Sequence, residues 1–482
     1  MKRSKFSLSN YKLLSCDLGE LVPCGLTEVL PGDTIQHATS ALVRLSPLLA
    51  PVMHPLHCRI HHWYVPTRLI WEDFQDFITG GDDGNDASVF PTISLTGAAR
   101  NTGSLADYLG VPTGNDIEVS ALPFRAYNLI FNEWYRDQDL VDELVISLAS
   151  GADSTTETDM QNVAWERDYF TTSRPWEQKG PAVTLPLGDQ APVKKDGTNN
   201  SAQLGILQGN DTEVRLTQGA FGSIQTDGNV ISEALYADLS NATAASVNDI
   251  REAFALQRFE EARARYGSRY TEYLRYLGIN SSDARLQRPE YLGGAKQTIQ
   301  FSEVLQTAEG SDPVGELKGH GIGAMRSRKY RRFFEEHGYV LSFISLRPKT
   351  IYTQGIHRLW NKRVKEDFWQ KELQHIGQQE ILNKEIYAPH SSPDGTFGFQ
   401  DRYDEYRRTP SSVSGEFRDT ILDFWHMARE FSSDPALNSD FITCTPTDRN
   451  FAVPSQDTVY IMANHSMQAR RMVAKTGTSY IY

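Results

Sequence analysis

The chain has 482 residues, of which 39% are hydrophobic, 23% charged and 11% aromatic, a balance that fits a folded globular protein and excludes a largely disordered one. A formal net charge of −13 argues against a surface built throughout to neutralise nucleic acid, because phosphate binding depends on lysine and arginine; any basic work must be local. Four scattered cysteines, Cys16, Cys24, Cys58 and Cys444, form no CxxC pair, residues 1–10 precede no apolar signal-like run, and no stretch is apolar for long enough to span a bilayer, so a reduced, cytoplasmic setting without membrane insertion is expected.

Leu21 to Leu30 ends in the turn signal Pro31-Gly32-Asp33, after which Thr34 to Leu45 mixes β-branched and apolar residues as a strand does. A second strand is expected from Leu56 to Val65, closed by Pro66. From Leu69 to Ile78 the spacing turns helical and gathers Ile70, Trp71, Phe74 and Phe77 on one side. The acidic stretch Gly80 to Asp86 lacks the ligand spacing of an EF-hand and reads as a solvated turn. Pro123 suits the first turn of a helix whose Tyr127, Ile130, Phe131, Trp134 and Tyr135 share one stripe.

Lys194 to Asn229 is rich in Gly, Asn, Thr, Asp and Gln and reads as a surface excursion. A helix is expected from Ser246, with Asp249 as its capping partner, to about Tyr266. Gly338 to Leu346 alternates as a strand but is apolar on both sides, as inside a sandwich, and Thr458 to Ala463 has the same character. A third aromatic stripe, Phe417, Ile421, Phe424 and Trp425, has helical spacing. No linker divides the chain, so the expected fold is mainly β: one sandwich domain over 1–482, of Greek-key or jelly-roll type, with long helix-containing insertions. Each aromatic stripe admits two readings, burial in the chain's own core or against a neighbouring copy. On the second reading the interface candidates are Trp71, Phe74, Tyr127, Phe131, Trp134, Tyr135 and Trp425.

Candidate chemistry is sparse. His54, His57, His61 and His62 with Cys58 form the densest group of possible metal ligands, but on a strand His57 and His61 face one way while Cys58 and His62 face the other, so no shared ion is expected. Gly319-His320-Gly321-Ile322-Gly323 is neither a Walker A sequence nor a dinucleotide fingerprint and reads as a flexible connection. No GxSxG elbow is present. Arg326, Arg328, Lys329, Arg331 and Arg332 form the densest basic run, interleaved with Tyr330 and followed by Phe333 and Phe334. Such a run suits single-stranded nucleic acid, its cations meeting phosphates and its rings stacking on bases; equally, it suits a solvated or intersubunit face.

Several blocks resemble one family. Leu21-Val22-Pro23, Glu28-Val29-Leu30-Pro31-Gly32-Asp33-Thr34 and Val65-Pro66-Thr67-Arg68-Leu69-Ile70-Trp71 are similar to the N-terminal signature of microvirus major capsid proteins, the gokushovirus-like branch especially. Leu122 to Tyr127, Asp168 to Thr171, Gly180 to Gly188 and Asn383 to Tyr387 resemble later blocks. The most specific are Ala264-Arg265-Tyr266-Gly267-Ser268-Arg269-Tyr270-Thr271-Glu272 and Asp283 to Gly294. The histidine-rich Met53 to Trp63 departs from the more aromatic version in some relatives. The resemblance implies a viral jelly roll whose identical copies close into an icosahedral shell around circular single-stranded DNA, assembled in a bacterial cytoplasm, with no catalysis and no cofactor. It also implies a small basic DNA-binding protein, an internal scaffolding protein, a DNA pilot protein and a host surface receptor as partners, and a protrusion, short here, at 194–229. The rival class is a jelly-roll enzyme or carbohydrate-binding protein using His54 to His62.

Overall fold

The structure, a computed structural model, describes residues 3–181, 247–267, 269–307 and 314–476, with short stretches between 183 and 237. Two compact units emerge, Met1–Glu177 with Tyr266–Tyr482, and Gln178–Arg265. The excursion expected at 194–229 belongs to the second unit and lies mostly outside the described residues. All but the last residue of the expected long helix, Val247–Tyr266, belongs to that unit.

Period-two alternation builds the first unit. Its main sheet has ten strands: β1 (Ser4–Ser7), β2 (Asn10–Cys16), β3 (Val22–Val29), β4 (Thr34–Leu45), β5 (Leu56–Pro66), β6 (Glu290–Leu305), β7 (Leu317–Arg326), β8 (Tyr330–Phe333), β9 (Gly338–Pro348) and β10 (Val459–Arg471). Their order is β1-β10-β4-β7-β6-β5-β9-β3, with β8 on β4 and β2 on β10. Long β6 pairs with β7 through 300–305 and with β5 through 290–299, so the sheet folds over at this strand. The two halves then face each other: Ala41, Val43 and Leu45 of β4 and Ile461 of β10 share a buried cluster with Leu56, Cys58 and Ile60 of β5 and Ile344 and Leu346 of β9. This is the expected mainly β sandwich.

Strand β9 is apolar on both sides because both sides are covered. Val340, Ile344 and Leu346 face the sandwich interior, whereas Leu341 and Phe343 pack on a second cluster made by the insertion after β5. Helix α1 (Leu122–Ile130), with Pro in its first turn, supplies Phe124, Tyr127 and Ile130 to that cluster and continues as a π turn, Phe131–Tyr135. The sandwich core itself is interrupted by a polar layer. His37 of β4 and His465 of β10 meet His62 of β5 across the two halves, the His37 and His62 rings lying 4.7 Å apart between centroids.

Two expectations fail. Gly319 to Gly323 is not a flexible connection but part of β7. Its glycines answer to crowding: a Cβ at Gly319 would lie 2.5 Å from the Ala50 carbonyl oxygen, and one at Gly321 2.5 Å from Leu45 Cδ1. Gly319→Ala is therefore expected to cost about 1–3 kcal/mol through overpacking against backbone, read as a lowered denaturation midpoint; an unchanged midpoint would refute the crowding argument. The Phe417–Trp425 stripe forms no helix either, only 3-10 turns at Gly415–Arg418 and Asp423–Trp425. Side chains take the carbonyls that a helix would use: His426 Nε2 lies 2.6 Å from Phe417 O, Arg449 Nε donates to Asp423 O at 3.0 Å, and Asn450 Nδ2 donates to Phe424 O at 2.7 Å.

Candidate nucleic-acid interface

The basic run spans the end of β7, a turn, and β8. Pairing of β7 and β8 with β4, and of β4 with β10, fixes which side each residue shows. Tyr330 stands opposite His37 and points into the sandwich, where it is 9% exposed. Arg331 stands in register with Gln36 and Gln468, and Phe333 with Thr34 and Arg470, on the outward side. Arg326, Arg328, Lys329 and Arg331 are exposed and have no ion-pair partner among the described residues. Arg332 departs from the group: it sits opposite buried Ile35 and is held by Glu290 at 2.6 Å.

Register adds cations that sequence proximity hid. Lys5 of β1 pairs with Arg470 of β10, and both are exposed beside Phe333, itself 50% exposed and faced by the Arg3 guanidinium at 5.5 Å. Further along the same side stand Arg44, Tyr460 and Met462, with Tyr11 and Leu13 of β2, and a groove of about 540 Å³ opens there. None of the exposed outward positions of β1, β8 and β10 is Asp or Glu. Among the described residues of this acidic chain, that sheet face is cationic at one end and mostly apolar at the other, where Asp107 and Asp457 line the groove. Only the period of two could have revealed Lys5 and Arg470, and only with the pairing known.

A second concentration of cations is already occupied. Arg59, Lys296 and Lys349 approach the Glu166 carboxylate at 2.7, 3.1 and 3.3 Å. Burial raises this carboxyl, but the Lys296 hydrogen bond and the charges of Arg347, Lys296 and Lys349 outweigh it and hold it at about 2. The cluster fastens the loop around residue 166 to β5, β6 and β9.

The expected histidine group is divided among separate environments. His57 Nδ1 lies 3.1 Å from Thr298 Oγ1, His61 Nδ1 2.7 Å from Tyr135 Oη, and His54 Nε2 2.7 Å from Lys349 O. His62 faces the other way, between Ser342 and Ser327. Among the described residues no three His, Cys, Asp or Glu side chains are grouped to hold a metal.

The model of the capsid protein (F protein) family matches residues 1–480. The chain belongs to that family. Capsid protein VP1 of Bdellovibrio phage phiMH2K is 37% identical over 482 aligned positions, covering 94% of this chain and 90% of that protein. The VP1 capsid proteins of Chlamydia phage 1 and Spiroplasma virus 4 are each 32% identical, covering 95% and 94% of this chain and 92% and 90% of theirs. This is a phage major capsid protein, a structural component of the virion. The histidines on which the rival reading relied, His54, His57, His61 and His62, stand in separate environments.

For a capsid subunit the aromatic stripes need re-sorting. Trp71, Tyr127 and Phe131 are 0, 0 and 4% exposed, so these three interface candidates are corrected: they fill the subunit's own second cluster and offer nothing to a neighbour. Trp134 and Tyr135 are half-buried against Trp63, at 4.6 and 6.1 Å between centroids, with the Arg288 guanidinium 4.3 Å from the Trp134 ring. Phe74 rests on Trp71 and His337. Trp425, half-buried, stands in a 3-10 turn beside Phe424. No helix among the described residues is long and apolar enough to cross a membrane.

Proposed function

We propose that copies of this capsid protein close into an icosahedral shell around circular single-stranded DNA, without catalysing a reaction, and that the uncovered face of β1, β10, β4 and β8 lines its interior. The observation that carries the second part is the absence of carboxylates among those exposed positions in a chain of net charge −13. Arg326, Arg328, Lys329 and Arg331, joined by Lys5 and Arg470, meet phosphates there; Phe333 and Tyr11 offer ring faces to unpaired bases. Arg332, already paired with Glu290, positions β8 instead.

The remaining genome charge calls for a separate small basic DNA-binding protein, and the family resemblance supports an internal scaffolding protein, a DNA pilot protein and a bacterial surface receptor as further partners. The family resemblance supports a surface protrusion at 194–229, a stretch mostly outside the described residues. The alignment with the Chlamydia phage 1 protein runs over 547 positions, longer than the 482 residues here, which supports a shortened insertion somewhere in this chain.

Replacing Arg326, Arg328, Lys329 and Arg331 by alanine should lower the salt slope of single-stranded DNA binding by roughly 0.7 for each phosphate no longer neutralised, and should reduce the DNA retained by particles. An unchanged slope and unchanged retention would remove this face as the DNA interface.

A further inference from the structure

Residues 357–376 carry a tryptophan-rich exposed apolar surface to which the DNA-facing sheet gives no role. Leu359, Trp360, Val364, Phe368, Trp369 and Ile376 are each more than half exposed, Trp360 at 67%. The segment is nevertheless firmly built. The Asp367 carboxylate accepts the N–H groups of Arg363 and Val364 at 2.6 and 3.0 Å. Tyr403 donates its hydroxyl to the carbonyls of Glu366 and Phe368, both at 3.0 Å. Lys362 sits 4.0 Å from the centre of the Tyr406 ring and 5.3 Å from that of Phe368. The backbone is thus tied down beneath rings that point to solvent, an arrangement that lowers the ordering cost of binding.

We propose that this segment is a contact between neighbouring copies of the chain, with Trp360, Phe368 and Trp369 seated on the adjacent subunit. The assignment rests on the shell reading. Together the six exposed side chains, Leu359, Trp360, Val364, Phe368, Trp369 and Ile376, present on the order of 600 Å² of coverable apolar surface, most of the roughly 800 Å² that each partner buries in a standard interface. Tryptophan and phenylalanine are the residues that interface cores favour. Rings among cations also occur at single-stranded DNA sites, but here Glu366, Asp367 and Glu372 are interleaved with them. Arg358 and Lys362 are also engaged already, by Glu385 and Glu405. The exposed outward positions of β1, β4, β8 and β10 have neither obstacle, so phosphates belong there and a second copy belongs here.

The test compares the wild type with the double variant W360S/W369S in sedimentation at the protein concentration where half of the wild type is assembled. The expected result is a folded variant, judged by an unchanged circular dichroism spectrum, with at least a ten-fold lower particle yield. Oxidative footprinting of wild-type particles gives a second readout that needs no variant: Trp360 and Trp369 should be several-fold less oxidised than in dissociated subunits. Equal oxidation, or variant particles in normal yield, overturns the assignment, and normal yield with less DNA gives the patch to the genome instead. A wild type that forms no particle overturns the shell reading and this contact together.

Discussion

Acidification from pH 7 to pH 5 is expected to destabilise the subunit by about 2 kcal/mol through His37, with buried His62 and His465 acting in the same direction. These rings make a polar layer inside the sandwich, and the hydrogen bonds of His37 and His465 suit only neutral imidazoles. His465 Nε2 lies 2.8 Å from Cys24 O and so carries the proton, leaving Nδ1 to accept from His37 Nε2 at 3.2 Å, while Tyr330 donates its hydroxyl to His37 Nδ1 at 3.1 Å. A further proton on either ring sets two N–H groups against each other or removes the acceptor of the tyrosine. Burial lowers His37 to about 3, helped by neighbouring His465, and lowers His62 and His465 in the same direction.

The sign follows from linkage. Each folded-state value lies below the unfolded value near 6.5, so the unfolded chain takes up protons first as pH falls. The stabilisation is complete above that value and is lost progressively below it, for His37 down to about 3. His54 and His61, lowered by burial to about 4, add to the same slope. Glu20 and Glu385, raised by burial, act in the opposite sense at the acid end. The informative measurement is therefore the pH dependence of the urea midpoint for wild type against His37→Gln and His62→Gln. Each variant should lose about one proton from the slope below pH 6. Superimposable slopes would mean that these imidazoles titrate normally in the fold.

Asp153→Ala is expected to destabilise the protein by about 3–5 kcal/mol, the cost of leaving its arginine partner buried and unpaired. Arg125 of α1 and Asp153 have side chains with no exposure at all and meet at 2.8 Å. Every polar atom around them is committed. Arg125 also donates to the carbonyls of Ile70 and Ala149, both at 3.0 Å, and Asp153 accepts from the Thr155 and Thr156 amides and the Thr156 hydroxyl. Burial raises the Asp153 carboxyl, but the Thr156 and Thr155 hydrogen bonds and Arg125 reverse this and leave it lowered. The pair ties α1 to the loops at Ile70 and Ala149 and so holds the aromatic cluster against β9. Replacing both partners by apolar residues, Arg125→Met with Asp153→Leu, should recover much of the loss. If Asp153→Ala shifts the denaturation midpoint by less than the equivalent of about 1 kcal/mol, the upper end of what an exposed pair is worth, the pair does not carry the insertion.

Strands β4, β5 and β9 were legible because alternation and turn residues bound them, and α1 because Pro123 precedes a stripe at helical spacing. The histidine layer was not, since His37 and His465 are 428 residues apart and only the pairing of β4 with β10 brings them together. The glycines of β7 misled because low strand propensity hides the steric reason for having no side chain. Among the interface candidates, aromatic spacing found helix faces but could not say which side of the subunit boundary they fill; Trp71 and Tyr127 are wholly internal. Trp360 and Trp369 went unseen because 3-10 turns held by Asp367 and Tyr403 impose no period on the sequence. For the basic run, composition located the charge, and strand register separated outward Arg331 from Arg332, held by Glu290 on the opposite side of β8.

The most direct test of a shell closed around DNA is sedimentation of the protein produced together with its genome, followed by nuclease treatment. Large, nuclease-resistant particles that contain this chain and single-stranded DNA are the predicted result; a small, DNA-free oligomer at every concentration would contradict it.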